Sequence, residues 1–508
     1  MKNNVLLIYP PMGFSGTFVC HPPLSLIYAA AELVKKKIPV TIFDARTMGG
    51  DWKKKLSEVL RDTHAGLSAV GISVMSGRPI AAAIEISRRV KKIAPHLPVI
   101  WGGPHATFYP ETCFQCADCD YVIRGYGSRP LEQLVSHLQR SGRQTSSGIA
   151  GVSERNPAAP GNILHHPATS DYEIISYPDI PYHLINDYSP YRQLDGPRRI
   201  FSLYSSFGCP HQCAFCSSPA YYKNFFPKYL CLPPQDVAAH AEHLVRAYAA
   251  GYLYFIDDDS FVHLAHIDRL LDELLRRNLR IGLGFRGAHV NEINRMSDAF
   301  LEKLTLAGTD ILHIGAESGS DRMLALMRKN CTRANIIAAN RKLARYPRIK
   351  AAYNFVFGIP TETYDDMRAT KELIEQLVAE NPAAVIFPPN RYRPLPGTAL
   401  FNQLGEHGQA AAVPRTLEQW CAVEVEGQFP TPWIRPPQQR YFKLIFLGSY
   451  FIDRKIERLT SGSRSRYRLL RILARLYLPL LRLRWRFNLS GCLIEWTIFR
   501  IFKRRRSR

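Results

Sequence analysis

The feature that most constrains the fold is an alternation of short β-rich runs with helical patterns, which occurs in two separate stretches. In residues 1–140 the runs VLLIY, VTIFD, AVGIS, PVIWGG and DYVIRG have the character of buried strands, and patterns such as LSLIYAAAELVKKK separate them. This spacing predicts an α/β domain with a parallel, doubly wound sheet. Ligands of such sheets bind beyond the carboxyl ends of the strands.

The second alternating stretch covers residues 196–405. Its six candidate strands are IFSLYSS, LYFID, RIGLGF, ILHIGAES, AAYNFVFG and AAVIFP. Six β/α units predict a partial (β/α)6 barrel whose chemistry lies at the carboxyl ends of the strands. The segment 141–195 is rich in Pro, Gly and Ser and is predicted to be a connector without regular structure. Residues 406–508 lack the alternation and form a third, mostly helical and basic region.

A cysteine array follows the first barrel strand directly. The segment GCPHQCAFC places Cys209, Cys213 and Cys216 in a C-x3-C-x2-C pattern. A cubane iron–sulfur cluster normally has four cysteine ligands, so three would leave one iron open to a substrate or cofactor. Structural zinc requires a closed set of four ligands. No fourth cysteine stands at such a spacing, although His211 lies within the loop, and the array therefore favours an open-site cluster over zinc.

The array, with Phe215 before its last cysteine, resembles the signature of the radical S-adenosylmethionine (SAM) superfamily. The segments FIDDDSF, GAESGSDRMLALMRK, FGIPTET and RPLPGT, at the ends of later strands, are similar to that family as well. The resemblance implies a [4Fe–4S] cluster on the three cysteines. It also implies SAM-binding residues, which are Phe215, Asp258, Glu317, Ser318, Gly358 and Ile359.

The chemistry that this resemblance implies is reductive cleavage of SAM. SAM would fill the open iron site, and an electron carrier such as flavodoxin or ferredoxin would reduce the cluster. Cleavage would release methionine and a 5′-deoxyadenosyl radical that takes a hydrogen atom from the substrate. The cofactors carry this chemistry, and the protein orients them and excludes water.

The N-terminal domain resembles the cobalamin-binding domain of the B12-dependent radical SAM class. The similar segments are residues 22–45, GGPHATFYPE and DYVIRGYG. The cobalamin-binding residues that the resemblance implies are Ser73, Gly102, Gly103, Pro104, Gly125 and Gly127. The loop after the first strand lacks the D-x-H-x-x-G motif that supplies an axial histidine in many cobalamin proteins. His21, alone in that loop, is expected at the surface.

With both cofactors, the resemblance implies methyl transfer to an unactivated carbon or to phosphorus. A sister branch with the same architecture closes a ring on a magnesium-porphyrin ester, and the sequence leaves this oxidative cyclase as an alternative. A second alternative is a non-catalytic sensor that binds cobalamin or the cluster. The barrel argues against a sensor, because a sensor has no use for SAM-binding strand ends.

A second cysteine group lies in the N-terminal domain, where CFQCADC places Cys113, Cys116 and Cys119 in a C-x2-C-x2-C pattern. Two interpretations stay open. The group could bind an auxiliary cluster or another metal. Alternatively, these are three small residues without a ligand, as is common for cysteines in a reducing compartment.

The basic character of the chain is concentrated at its C-terminal end. The net charge is +23, and residues 454–508 contain 17 Lys and Arg against Glu457 and Glu495. Arginines recur at helical spacing between 465 and 487, among leucines and aromatic residues, at Arg468, Arg471, Arg475, Arg482 and Arg486. We expect an amphipathic helix that Pro479 kinks or splits, with Trp485 and Phe487 suited to an anionic membrane surface. One alternative is a solvated face that covers the barrel bottom. A nucleic-acid surface is a second alternative, which is disfavoured because the sequence shows no nucleic-acid-binding module.

Targeting segments, apolar runs and cysteine usage indicate where the protein is located. We find no signal peptide and no uninterrupted apolar run long enough to span a membrane. The 11 cysteines show no disulfide framework. These features predict a cytoplasmic protein, with peripheral contact to the inner face of the membrane, that acts on a small molecule or a lipid- or porphyrin-like substrate.

Overall fold

The structure is a computed structural model of the 508-residue chain. It describes residues 4–12, 21–141, 147–156, 158–159, 161–168, 174–193, 197–220, 229–406, 413–423, 431–453, 468–491, 493 and 495–497. Two α/β units follow each other along the chain, and a helical C-terminal region packs against both of them.

The first unit is built on a seven-stranded sheet with strand order β2-β1-β3-β4-β5-β6-β7. Its strands are β1 (Asn4–Tyr9), β2 (Val40–Asp44), β3 (Leu67–Ser73), β4 (Val99–Gly102), β5 (Tyr121–Ile123), β6 (Val152–Arg155) and β7 (Ile163–His165). Strands β1 to β5 are parallel, as the sequence predicts. Strands β6 and β7 are antiparallel and lie inside the segment that was predicted to be an irregular connector. They are too short to show a period, and pairing with the edge strand β5 forms them.

Six helices cover the first sheet. They are α1 (Leu24–Lys35), α2 (Trp52–Thr63), α3 (Arg78–Ile93), α4 (Pro104–Phe108), α5 (Pro110–Cys113) and α6 (Ser128–Ser141). Helices α1 and α6 bury one face of the sheet, and α2 and α3 bury the other. Every residue of β3 is buried, which is typical of a central parallel strand that has helices on both faces.

The second unit is the expected partial barrel, with six parallel strands in the order β8-β11-β12-β13-β14-β15. The strands of this unit are β8 (Ile200–Leu203), β9 (Ser206–Phe207), β10 (Leu230–Cys231), β11 (Tyr252–Phe255), β12 (Gly282–Ala288), β13 (Thr309–Glu317), β14 (Lys350–Phe357), β15 (Ala384–Ile386) and β16 (Asn390–Arg391). Its helices are α7 (Pro234–Tyr248), α8 (Leu264–Arg276), α9 (Val290–Arg295), α10 (Asp298–Leu306), α11 (Asp321–Leu326), α12 (Arg333–Ala344) and α13 (Tyr364–Glu380).

Polar side chains lie at the amino-terminal end of the barrel. Tyr252 donates a hydrogen bond to Asp310, and Arg198 contacts the same carboxylate and lies over the Tyr252 ring. Gly282 makes room for this ring, since a Cβ atom there would lie 2.5 Å from it. These side chains fill part of the barrel at this end.

The C-terminal region is mostly helical, as the sequence predicts. After α14 (Ala399–Glu406), which ends the barrel segment, it contains α15 (Leu417–Ala422), α16 (Pro436–Gly448) and α17 (Arg468–Arg486). Helix α15 packs on the first domain, where Leu417 and Trp420 join the core beside α3. None of the helices in the described part of the chain combines the length and the hydropathy needed to cross a membrane.

Helix α17 differs from the prediction in two respects. It continues through Pro479, so of the two predicted effects of this proline, a kink or a split, the split does not occur. Trp485 was expected on the lipid-facing side with Phe487, but it is buried against Gly448 in α16. Packing against the barrel helices therefore outweighs the loss of one backbone hydrogen bond at the proline.

We expect the substitution Gly308→Ala to destabilise the barrel. Gly308 has φ +93° before β13, and a Cβ atom there would lie 2.3 Å from the carbonyl oxygen of Ile281. The free energy of unfolding should fall by about 1–3 kcal/mol in urea denaturation. Gly50→Ala is the control, because no atom lies within 4 Å of the new Cβ atom. Equal stability of the two variants would contradict the expected strain.

Candidate active site between the two domains

A cavity of about 690 Å³ lies between the first domain and the barrel. The carboxyl ends of both sets of strands face it. All six residues predicted to bind cobalamin line its wall on the first-domain side: Ser73, Gly102, Gly103, Pro104, Gly125 and Gly127. The barrel side includes Ser202, Tyr204, Tyr254, Ile256, Asp258 and Arg286. The two strand series therefore open into one space.

Glycines give the first-domain wall a surface of bare backbone. Gly103 has φ +97°, and a Cβ atom there would lie 3.0 Å from the carbonyl oxygen of Val74 and 3.3 Å from Oγ of Ser73. A Cβ atom on Gly102 would meet nothing closer than 3.9 Å. The backbone N–H of Gly125 donates to Oγ1 of Thr107 at 3.0 Å. A large, flat ligand can approach such a wall closely.

His21 lies in the cavity wall, so the expectation that it is a surface residue is wrong. Its Nδ1 is 2.9 Å from Oγ of Ser202, and its ring packs against Tyr254 at 5.2 Å. Burial, with the nearby charge of Arg46, lowers the pKa of His21 to about 4. The imidazole is therefore neutral at ordinary pH and joins the first domain to strand β8.

Arg286 places a positive charge on the barrel side of the cavity. The structure gives it neither a hydrogen bond nor an ion pair with any other described residue, and its side chain is exposed to the cavity. Burial, together with the charge of Arg286, lowers the pKa of the neighbouring His313 to about 4. Arg286 therefore places a cation beside the neutral His313 in the cavity wall, which suits an anionic group on a ligand.

The cysteine loop lies at the carboxyl end of the barrel. Its backbone is held by hydrogen bonds from Ala214 N to Met327 O at 2.8 Å and from Leu400 N to Ala214 O at 2.9 Å. Burial raises the pKa of Cys209 to about 12 and that of Cys213 to about 11, although Lys329 lowers the latter. Thiolates in this position need a positive charge beside them, and a metal cluster would supply it.

The geometry of the three thiols argues against a mononuclear metal site. Within the described part of the chain, the one group whose three ligand atoms all lie within 4.8 Å of one another is His211, His289 and Glu292. The cysteines are not such a group. A cubane accommodates a wider set, because each sulfur binds a different iron.

Three successive carboxylates after β11 fix this part of the barrel. Asp257 accepts hydrogen bonds from the backbone of Ser205 and Ser206 at 2.7 and 3.0 Å. Asp258 accepts from Oγ of Ser218 at 3.0 Å. Asp259 lies 3.1 Å from Nε2 of His211. The run FIDDDSF therefore holds the segment before the cysteine loop, the loop itself and the segment after it.

His211 connects the cysteine loop to a second carboxylate. Its Nε2 lies 3.5 Å from Oε1 of Glu292, and its ring stacks on His289 at 4.3 Å. Hydrogen bonds to Asp259 and Glu292 raise the pKa of His211 to about 9. The side chain is thus a cation between two carboxylates. The sequence showed a histidine in the loop but gave no sign of these distant partners.

The residues predicted to bind SAM do not all line the cavity. Asp258 does. Glu317, with φ +61°, forms a buried ion pair with Lys329 at 3.2 Å, close enough to Cys213 to influence its thiol. Phe215 packs, partly buried, against the barrel core. Lys329 was not predicted, although it ends the segment GAESGSDRMLALMRK.

Of the other three predicted SAM contacts, two have hydrogen-bond partners in the protein and one is buried. Ser318 is buried, and its Oγ lies 3.1 Å from Oγ1 of Thr370. Gly358, with φ +83°, donates its N–H to Oε2 of Glu362 at 2.6 Å and accepts a hydrogen bond from Trp433 at 2.8 Å. Ile359 is buried. Their assignment to SAM stays a prediction.

The second cysteine group belongs to a hydrophobic core. Cys113, Cys116 and Cys119 are all buried in the cluster around α2 and α3. The thiols of Cys113 and Cys119 point to the carbonyl oxygens of Tyr109 and Tyr121, at 3.6 and 3.5 Å. Burial raises the pKa of all three. This environment favours the interpretation that they are packed thiols without a ligand.

Comparison with known proteins agrees with this two-domain arrangement. Residues 203–374 match the Radical SAM superfamily, and residues 17–135 match the B12 binding domain. The chain is 25% identical over 407 residues to an uncharacterized methyltransferase of Pyrococcus horikoshii, covering 78% of this chain and 82% of the relative. It is 22% identical over 402 residues to the cytidylyl-2-hydroxyethylphosphonate methyltransferase of Streptomyces wedmorensis, covering 70% and 74%.

Among solved structures, the fold is similar to the cobalamin-dependent S-adenosylmethionine radical enzyme OxsB with aqua-cobalamin and S-adenosylmethionine bound. The TM-score is 0.70 at 17% identity, and the alignment covers 99% of this chain and 75% of OxsB. The chain thus contains a radical SAM domain and, before it, a B12-binding domain. Its cofactors are a [4Fe–4S] cluster, SAM and cobalamin.

We expect the substitution Cys213→Ala to remove the cluster. Iron per chain after anaerobic reconstitution should fall to background, and 5′-deoxyadenosine should no longer form from SAM, because the loop would retain only two thiolates. Cys421→Ala is the control, since this cysteine lies on α15, which packs against the first domain. A Cys213→Ala protein that still cleaves SAM would contradict the ligand assignment.

The substitution Cys116→Ala should leave iron and sulfide content unchanged, because this cysteine lies in an apolar core. Elemental analysis of the reconstituted protein measures this. A loss of about four irons per chain relative to the unsubstituted protein would instead indicate an auxiliary cluster.

Proposed function

We propose that this protein is a cobalamin-dependent radical SAM methyltransferase that acts on an unactivated carbon or a phosphorus centre of a small molecule. The observation that carries the proposal is the shared cavity. Its walls come from the strand ends of the B12-binding domain on one side and of the radical SAM barrel on the other. A substrate in this space would contact both cofactors. The names of the two relatives, both methyltransferases, support the same activity.

In this proposal, different residues hold the cluster, cobalamin and SAM. Cys209, Cys213 and Cys216 hold the cluster, and Ser73 with the glycine wall holds cobalamin. Asp258 orients the loop after the cysteines through Ser218. Phe215, Glu317, Ser318, Gly358 and Ile359 are proposed to position SAM. When bound, the cluster and SAM supply hydrogen-atom abstraction, and cobalamin supplies the methyl group.

Two partners complete the proposal. The cluster needs an external electron, and we propose an electron carrier of the flavodoxin or ferredoxin type. The net charge of +23 would favour association with an acidic carrier. The substrate is a small molecule, which includes lipid-like and porphyrin-like compounds. The proposed location is the cytoplasm, with contact to the inner face of the membrane.

The substitution Gly102→Leu tests whether cobalamin binds in the cavity. Backbone strain is not expected, because the new Cβ atom meets nothing closer than 3.9 Å, and Gly102 lines the cavity. Corrinoid content after reconstitution with hydroxocobalamin should fall to background, while iron content stays unchanged. Gly66→Leu is the control, because this glycine also has open space around it but does not line the cavity.

The same pair of variants tests the reaction in an anaerobic assay with SAM and a reductant. The unsubstituted protein should form 5′-deoxyadenosine, from reductive cleavage, and S-adenosylhomocysteine, from methyl donation. Gly102→Leu should retain the first product and lose the second. If the unsubstituted protein forms only 5′-deoxyadenosine, the oxidative cyclase replaces methyl transfer. If it forms neither product, the protein is instead the non-catalytic sensor.

A further inference from the structure

An unusual concentration of exposed apolar side chains lies at helix α17 and directly after it. Six large hydrophobic residues there are between 46% and 72% exposed: Ile472, Leu476, Leu480, Leu483, Phe487 and Leu489. In the remaining described residues only four large hydrophobic side chains reach comparable exposure, and they are scattered: Leu230, Leu275, Leu306 and Tyr364. We call the group of six the apolar stripe.

The apolar stripe follows one face of the helix. The first five positions are separated by 4, 4, 3 and 4 residues, which brings them to one side at 3.6 residues per turn. The opposite side carries Leu481 and Trp485, which are 3% exposed and belong to the barrel core. The helix therefore has two apolar faces, and the protein covers one of them.

Specific contacts fix the orientation of the helix. Nζ of Lys371 in α13 donates to the carbonyl oxygen of Trp485 at 2.7 Å. Tyr441 in α16 donates to Oδ1 of Asn488 at 3.0 Å. The indole of Trp485 lies over Gly448, where a Cβ atom would be 2.0 Å from the ring. The apolar stripe is thus presented outward by packing and not by chance placement of a loose tail.

Positive charge borders the apolar stripe. Arg482 and Arg486 are exposed. Successive residues of a helix are rotated by about 100°, so these two arginines lie beside the stripe, between it and the buried face. The sequence continues the same row with Arg468, Arg471 and Arg475, and residues 454–508 contain 17 Lys and Arg against two Glu.

We propose that the apolar stripe docks the protein on an anionic lipid bilayer. Leucine, isoleucine and phenylalanine side chains would enter the acyl boundary, and the bordering arginines would contact anionic headgroups. A second copy of the chain fits less well, because it would bring two arginine rows together. This proposal specifies the membrane contact within the proposed location, on which it rests, and it does not depend on the proposed chemistry.

Vesicle co-sedimentation of the full-length protein tests the proposal. The probes are vesicles of phosphatidylcholine alone and of phosphatidylcholine with an equimolar amount of phosphatidylglycerol. We expect sedimentation with the anionic vesicles, weaker sedimentation with the neutral ones, and loss of the difference at high salt. No sedimentation with either type of vesicle would overturn the proposal.

Variants locate the contact. The pair Leu476→Glu with Leu483→Glu should reduce partitioning by roughly tenfold or more, because it places two carboxylates in the proposed contact. Leu306→Glu is the matched control, since Leu306 is 75% exposed on α10, outside the stripe, and Leu476 is 72% exposed. Arg482→Gln with Arg486→Gln should reduce binding to anionic vesicles roughly thirtyfold and leave binding to neutral vesicles unchanged.

Further measurements separate the outcomes. Iron content, 5′-deoxyadenosine formation without vesicles and the thermal midpoint should be the same in all variants, so a folding defect or a failure of the proposed chemistry is seen independently. Equal partitioning of the control and the stripe variants would overturn the assignment of the surface. A concentration-dependent dimer in analytical ultracentrifugation that the stripe variants abolish would also overturn the proposal, because the stripe would then bind a second copy of the chain.

Discussion

The barrel end depends on three successive carboxylates, Asp257, Asp258 and Asp259, each of which holds a different part of the chain. The first is buried and takes backbone hydrogen bonds from the segment before the cysteine loop. The second holds Ser218 after the loop, and the third holds His211 within it. Burial raises the pKa of Asp257 to about 6, which makes its hydrogen bonds sensitive to acid. Burial raises the pKa of the three thiols in this loop, so they become thiolates only as a cluster binds, and the loop needs such support to hold them in place.

The cavity brings the strand ends of the two domains together. Each domain alone offers only one row of strand ends, and the chemistry of the two cofactors requires that the rows face each other. His21 and Ser202 join the two sides by one short contact, and Arg286 adds a fixed charge to the shared wall. The proposed methyl transfer therefore depends on the arrangement of the domains, because cobalamin is assigned to one domain and the cluster with SAM to the other.

Much of the fold followed from sequence pattern. All eleven predicted strands are present, because buried parallel strands need continuous apolar runs and the helices between them need a period of 3.6. The antiparallel strands β6 and β7 escaped prediction, since pairing with an edge strand and not their own composition forms them. The sequence pattern also failed to predict that Trp485 is buried, because its burial depends on a glycine in another helix.

The sequence by itself indicated which cofactors the protein would use. The spacing of Cys209, Cys213 and Cys216 favours an open-site cluster over zinc. Resemblance to a known domain places Ser73 and the glycine turns at the strand ends. These features are local in the chain, so a pattern can show them. Only the tertiary structure decided which groups support them. Lys329 pairs with Glu317, His211 lies between Asp259 and Glu292, and Arg286 faces the cavity, because contacts between residues far apart in sequence depend on how the elements pack.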